Sequence, residues 1–105
     1  MTQELRTIVE AEMPTAKCAR LSAECHGRLT VEHPFGRVVQ ERWLFIYLCY
    51  HHHLGKGYNK EMNQYLAYAQ ASDGEMKRTF PKTSESHQTK KRWLTEKYGN
   101  TDFRH

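Results

Sequence analysis

The chain has 105 residues, 38% of them hydrophobic and 27% charged, which supplies one domain with a thin core, short of what several domains need. Its net charge of +4 is uneven: residues 1–76 carry eight Lys/Arg against nine Asp/Glu, and residues 77–105 carry eight against three. Three cysteines argue against a closed disulfide framework, the longest apolar run (Trp43–Cys49) is far short of a membrane span, and Met1-Thr2-Gln3-Glu4 lacks the apolar run of a secretory leader, so a soluble protein of the reducing cytoplasm, with no membrane partner, is expected.

In chain order, Leu5, Ile8, Val9 and Met13 give weak apolar spacing before Pro14, so residues 1–16 read as a short helix or a loosely packed arm. Leu29-Thr30-Val31-Glu32-His33 alternates and is β-rich, with Pro34 as its stop and Phe35-Gly36-Arg37 as a loop. Trp43–Leu48 is an apolar run of strand length that can pair with the first strand. The connection between them, of about ten residues, exceeds what a tight hairpin requires.

A new segment begins at Cys49, punctuated by Gly55 and Gly57. Tyr58, Met62, Tyr65, Leu66 and Ala69 then follow helical spacing, which makes Tyr58 and Tyr65 core residues, with Asn59, Lys60, Gln64 and Gln70 on the other sides. Trp43 also reads as core. Ser72-Asp73-Gly74 closes or interrupts this helix, and Thr79–Ser86, containing Pro81, reads as a linker. Ser86–Tyr98 is the last expected helix, stopped by Gly99; it bears Lys90, Lys91, Arg92 and Lys97, with Trp93, Leu94 and Tyr98 for docking. The organisation is thus an arm (1–16), a central domain (17–76) and a basic tail (77–105) suited to a polyanion or simply solvated; Trp93 either docks that tail or meets a partner.

Two clusters carry chemistry. Cys49 and His52 have the spacing that lets one turn present two ligands to one ion, and Cys18 and Cys25 can supply two more, although their gap is wider than the usual knuckle of about two to four residues. The bland alternative buries Cys49 as a small apolar residue. Outside that set, Glu32, His33 and His53 offer a carboxylate and two imidazoles, suited to holding a hard cation and to general base catalysis.

The order of these residues resembles the HNH, or His-Me finger, nucleases, especially small phage or prophage members. In that family an acidic residue and a histidine end the first strand, and a Leu-Cys-x2-Cys-His type of turn follows the second. Leu29-Thr30-Val31-Glu32-His33 and Leu48-Cys49-Tyr50-His51-His52-His53 correspond, and the likeness covers roughly residues 18–70, with Lys56-Gly57 and Asn59 or Asn63 fitting the helix that follows. The resemblance implies an α+β fold of the ββα-metal kind, with a short two-stranded antiparallel sheet and flanking helices. It implies metal-dependent hydrolysis of phosphodiester bonds in nucleic acid, DNA foremost, in the host cytoplasm. His33 would be the general base, and Glu32 and His53 would ligate Mg2+ or another divalent ion. Cys18, Cys25, Cys49 and His52 would hold a structural Zn2+, with His26 an alternative ligand. The family's central Asn has no counterpart; Gln40, Glu41 and Arg42 stand near its place.

Arg37, Arg42, Lys56, Lys60, Lys90, Lys91 and Arg92 are the expected contacts to nucleic acid. One such site cuts one strand, so double-strand cleavage would require a homodimer or successive nicks. The missing Asn keeps two alternatives in view: a non-catalytic zinc-stabilised nucleic-acid-binding module, and a phage-type protein adaptor.

Overall fold

Thr2 accepts a hydrogen bond from the Leu5 N–H and so caps the first helix, α1 (Gln3–Glu12). Pro14, which has no N–H to extend it, follows directly. The computed structural model describes residues 1–99; the last six residues of the expected basic tail lie outside the described residues. Leu5 is buried in the same cluster as Trp43, so the N-terminal segment is a packed helix.

Strands β1 (Leu29–Glu32) and β2 (Ile46–Cys49) form an antiparallel pair, with Leu29 opposite Cys49 and Glu32 opposite Ile46. Alternation along β1 turns Leu29 and Val31 to the core and leaves Thr30 and Glu32 together on the other face. All four residues of β2 are buried. So short a sheet needs support from its surroundings.

The second strand is shorter and later than the apolar run predicts. Arg42–Leu44 form a 3-10 turn, and pairing starts only at Ile46. The carbonyls that a longer ladder would use are taken by side chains: Gln70 Nε2 donates to Trp43 O (3.2 Å) and Phe45 O (2.9 Å), and Arg42 also donates to Phe45 O (2.9 Å). Trp43 is 1% exposed, stacks on Tyr68 (centroids 6.0 Å apart), and donates its indole N–H to Thr79.

Helix α2 (Tyr50–His53) leaves β2 with Cys49 as its N-cap, and α3 (Lys60–Tyr68) is capped by Asn59, which accepts from the Met62 N–H. The buried side of α3 is Met62, Asn63, Gln64, Ala67 and Tyr68, rotated from the predicted stripe. Tyr58 is 46% exposed and Ala69 is exposed, while Tyr65 is partly buried against Tyr98. Apolar spacing misreads this helix because two residues of its inner face are amides. Gln64 donates to Pro34 O (3.2 Å), and the buried Asn63 amide has no partner among the described residues.

Ser72-Asp73-Gly74 opens a helix, α4 (Asp73–Thr79), through a capping box in which Ser72 and Glu75 satisfy each other's backbone N–H groups. The expected linker shrinks to residues 80–83, and α5 (Ser84–Tyr98) begins earlier than predicted. Leu94 of α5 and Met76 of α4 are fully buried beside Trp43 and Tyr68. The result is an α+β fold with a two-stranded sheet and five α-helices among the described residues, none long and apolar enough to cross a membrane.

Candidate metal centre

Two turns close the wide gap between Cys18 and Cys25. The Leu21 N–H bonds back to Cys18 O (3.0 Å), and the Cys25 N–H bonds back to Ser22 O (3.2 Å). The join between them strains Leu21 into a left-handed backbone (φ 47°), while Ser22 Oγ accepts from the Glu24 N–H. The loop is anchored to the sheet through Ala19 N–H to Tyr47 O (2.8 Å). It returns past Gly27, whose φ of 83° disfavours a side chain and whose Cβ would stand 2.5 Å from Tyr50 Cβ.

Opposite this loop, the first turn of α2 sets His52 three residues after Cys49. Its Nδ1 lies 3.2 Å from Cys49 Sγ, 3.5 Å from Cys25 Sγ and 3.6 Å from Cys18 Sγ. The four ligand atoms all lie within 4.8 Å of one another. Ligand bonds of about 2.3 Å from sulfur and 2.0–2.1 Å from nitrogen, at tetrahedral angles, separate S from N by about 3.6 Å. The arrangement therefore matches one tetrahedral ion, and these four residues can hold a metal.

Electrostatics agrees with that geometry. Burial pushes the Cys18 thiol up to about 12, against backbone hydrogen bonds that pull it down. Cys49 is also opposed by burial, yet hydrogen bonds from the His52 and His26 backbones hold it below its usual range. Buried thiols crowded together ionise most readily around a cation, which deprotonates its thiol ligands. Burial, then the nearby Arg20 charge, holds His52 below its usual pKa and so in the neutral form that ligates.

The three consecutive histidines are sorted by where α2 aims them. His52, 1% exposed, belongs to the cysteine group. His51 packs against His26 (4.7 Å) and approaches Glu24 (3.5 Å). His53 turns back to the sheet, its Nδ1 2.6 Å from Thr30 Oγ1. Thr30 has a second contact at 2.8 Å to Leu48 O. A single hydroxyl proton satisfies both only by going to Leu48 O, so the hydroxyl accepts from His53 Nδ1–H. The ring is thereby held with Nε2 facing Glu32 Oε1 at 3.8 Å. The separation is too long for a direct hydrogen bond and within ion-pair range for a protonated imidazole. Glu32 is 8% exposed, and a carboxylate so buried calls for a positive partner.

His33 follows Glu32 beyond the strand end, partly exposed, and its ring makes no hydrogen bond or ion pair among the described residues. Arg37, Lys56 and Lys60 are exposed, as are Lys90 and Arg92. Two of the expected nucleic-acid contacts have partners within the fold. Arg42 pairs with Glu12 (2.9 Å) and lies over the Phe45 ring (4.2 Å), and Lys91 donates to Ala71 O just beyond α3.

Sequence reasoning passed over Thr30 and Gly57. Thr30 was detectable as the residue two before Glu32, on the same strand face. A Cβ at Gly57 would stand 2.6 Å from the His51 ring and 2.8 Å from His52 Cδ2, a constraint with no sequence signal beyond the glycine itself. Comparison with known proteins finds no matching family model, no similar curated protein and no similar solved structure.

Proposed function

We propose that this chain is a metal-dependent endonuclease of the HNH type that hydrolyses phosphodiester bonds in DNA, with zinc in the Cys18–Cys25–Cys49–His52 group. Three sulfurs and one imidazole at tetrahedral spacing favour zinc over harder ions. The observation that carries the nuclease reading is the pair beside it: Glu32 Oε1 and His53 Nε2 face each other at 3.8 Å, with Thr30 fixing the ring. Glu32 and His53 would hold a divalent cation such as magnesium. When bound, it supplies positive charge where the phosphodiester oxygens become more negative during cleavage.

The residues then divide the work. His33, next to Glu32 and free of other partners among the described residues, accepts the proton of the attacking water; histidines titrate near neutrality, which suits that role. Thr30 keeps the His53 ring from rotating. Arg37, Lys56 and Lys60, exposed on the segments that follow His33 and His53, meet phosphates on either side.

The test is nicking of supercoiled plasmid with added magnesium or manganese, comparing wild type with His33→Ala and His53→Ala. Cleavage by the wild type alone, with zinc content and circular dichroism retained in both variants, is expected. Equal cleavage by all three, or none by folded wild-type protein on plasmid, single-stranded and structured substrates, overturns the reading.

A further inference from the structure

Helix α5 carries a feature the metal sites do not use. Leu94 is fully buried, yet its neighbour Trp93 is 50% exposed and stands outside the core clusters. Lys97 Nζ lies 5.1 Å from the Trp93 ring centroid, against part of the indole. The rest borders a shallow depression of about 530 Å3 lined by Glu85, Ser86, Thr89, Lys90 and Trp93. Lys90 and Arg92 are exposed and make no ion pair among the described residues; Arg92 contacts only the Thr89 hydroxyl there. An exposed indole beside Lys90, with Arg92 exposed at the preceding helix position, matches a flat aromatic ring attached to an anion.

The position also fits. Lys97 and Tyr98 both donate to Glu61 in the first turn of α3 (2.5 and 2.6 Å). These bonds tie the end of α5 to the start of α3, the helix that follows α2.

We propose that this face is a subsite for single-stranded DNA, an unpaired base stacking on Trp93 and its flanking phosphates meeting Lys90 and Arg92. A duplex hides its base faces, so the site selects substrates with unpaired nucleotides. The proposal rests on the nuclease reading only for the choice of DNA and for what lies at the far end of the strand.

The experiment is titration of the zinc-loaded protein with oligothymidylate at low salt, without magnesium or manganese, read by tryptophan fluorescence and by anisotropy of a labelled strand. Trp43 is 1% exposed and gives a constant background, so quenching reports Trp93. Quenching is expected, with Trp93→Ala abolishing it and weakening binding on the order of 5- to 150-fold. Trp93→Phe should retain part of the affinity, and a duplex of equal length should bind without quenching. Equal oligothymidylate binding by wild type and Trp93→Ala, or oligothymidylate binding without quenching, overturns the subsite. So does a shift from dimer to monomer in Trp93→Ala with oligonucleotide affinity unchanged, which would make the face an interface between copies. Failure of the nuclease reading is separable. Quenching by a protein that never nicks plasmid keeps the subsite and removes the enzyme, and His33-dependent nicking without quenching does the reverse.

Discussion

Stripping the metal should unfold the site half of the molecule. The loop of residues 17–28 buries little apolar surface: Cys18 and Ser22 are buried, while Leu21, Ala23, Glu24, His26, Gly27 and Arg28 are exposed. It also carries the strained Leu21 backbone, which costs on the order of 1–2 kcal/mol. A domain of this length has a total stability of about 5–15 kcal/mol. A structural zinc site contributes an apparent 10–16 kcal/mol or so at neutral pH, enough to equal that total. Even if relaxation recovers most of it, a net loss of about 3 kcal/mol lowers Tm by roughly 12–24 °C in a domain this small. The assay is thermal unfolding with and without a strong chelator, with the released metal counted by elemental analysis. One equivalent of zinc and a fall in Tm of at least ~12 °C are expected. A Tm unchanged by the chelator, in protein shown to be metal-free, would refute the argument that the ion ties the loop to β2 and α2.

Gly57→Ala pushes a methyl into the His51 and His52 rings and should lower zinc affinity about 10- to 100-fold, measured by competition with a chromophoric chelator. Thr30→Val removes the hydroxyl that orients His53 while keeping shape; nicking should fall about 10- to 100-fold with zinc content unchanged. Leu94→Ala, at a fully buried position, should cost about 2–5 kcal/mol in urea unfolding with one cooperative transition, whereas a separately melting α5 would show two. His87, stacked on Phe80 at 4.0 Å with its Nδ1 2.8 Å from the Tyr68 hydroxyl, is held below its usual pKa by burial and then by Lys90. The unfolded chain therefore binds a proton that the folded one refuses, so this contribution is complete above about pH 6.5 and is lost as pH falls through the lowered folded value. His87→Gln, which keeps an acceptor for Tyr68, should flatten the decline in urea midpoint between about pH 7 and 5; an unchanged slope would clear His87 of the effect.

What could be read from sequence followed from short-range rules. The Cys49-x2-His52 spacing forecast its ligand pair because one helical turn sets that geometry regardless of the rest of the chain. Alternation over Leu29–Glu32 likewise gave the strand and its faces. The apolar stripe of α3 failed because Asn63 and Gln64 are turned inward by tertiary contacts that hydrophobicity cannot count. The second strand failed at Trp43, where Arg42 and Gln70 claim the carbonyls from afar in sequence. Helix α4 was legible, since Ser72-Asp73-Gly74-Glu75 has the capping-box pattern, but Gly74 drew attention to a break instead. Of the site, Glu32, His33 and His53 were grouped from their residue types and given roles by the resemblance; Thr30 shares the strand face of Glu32, but its bond to His53 depends on how α2 returns to the sheet.

The adjacency of His52 and His53 ties the two centres into one mechanical unit. Both lie on a four-residue helix, too short to be stable by itself, and its N-cap is the ligand Cys49. The cysteine group and the Thr30–His53 hydrogen bond hold α2 from two sides, and His51 adds its contacts to His26 and Glu24. Rotating α2 to improve one centre would spoil the other, because successive helical residues point about 100° apart. A metal in the cysteine group would thus do more than offset a thin core: it would fix the angle at which His53 meets Glu32. That is a reason for a protein with so little sheet to place its structural ligand and its proposed catalytic ligand side by side in the chain.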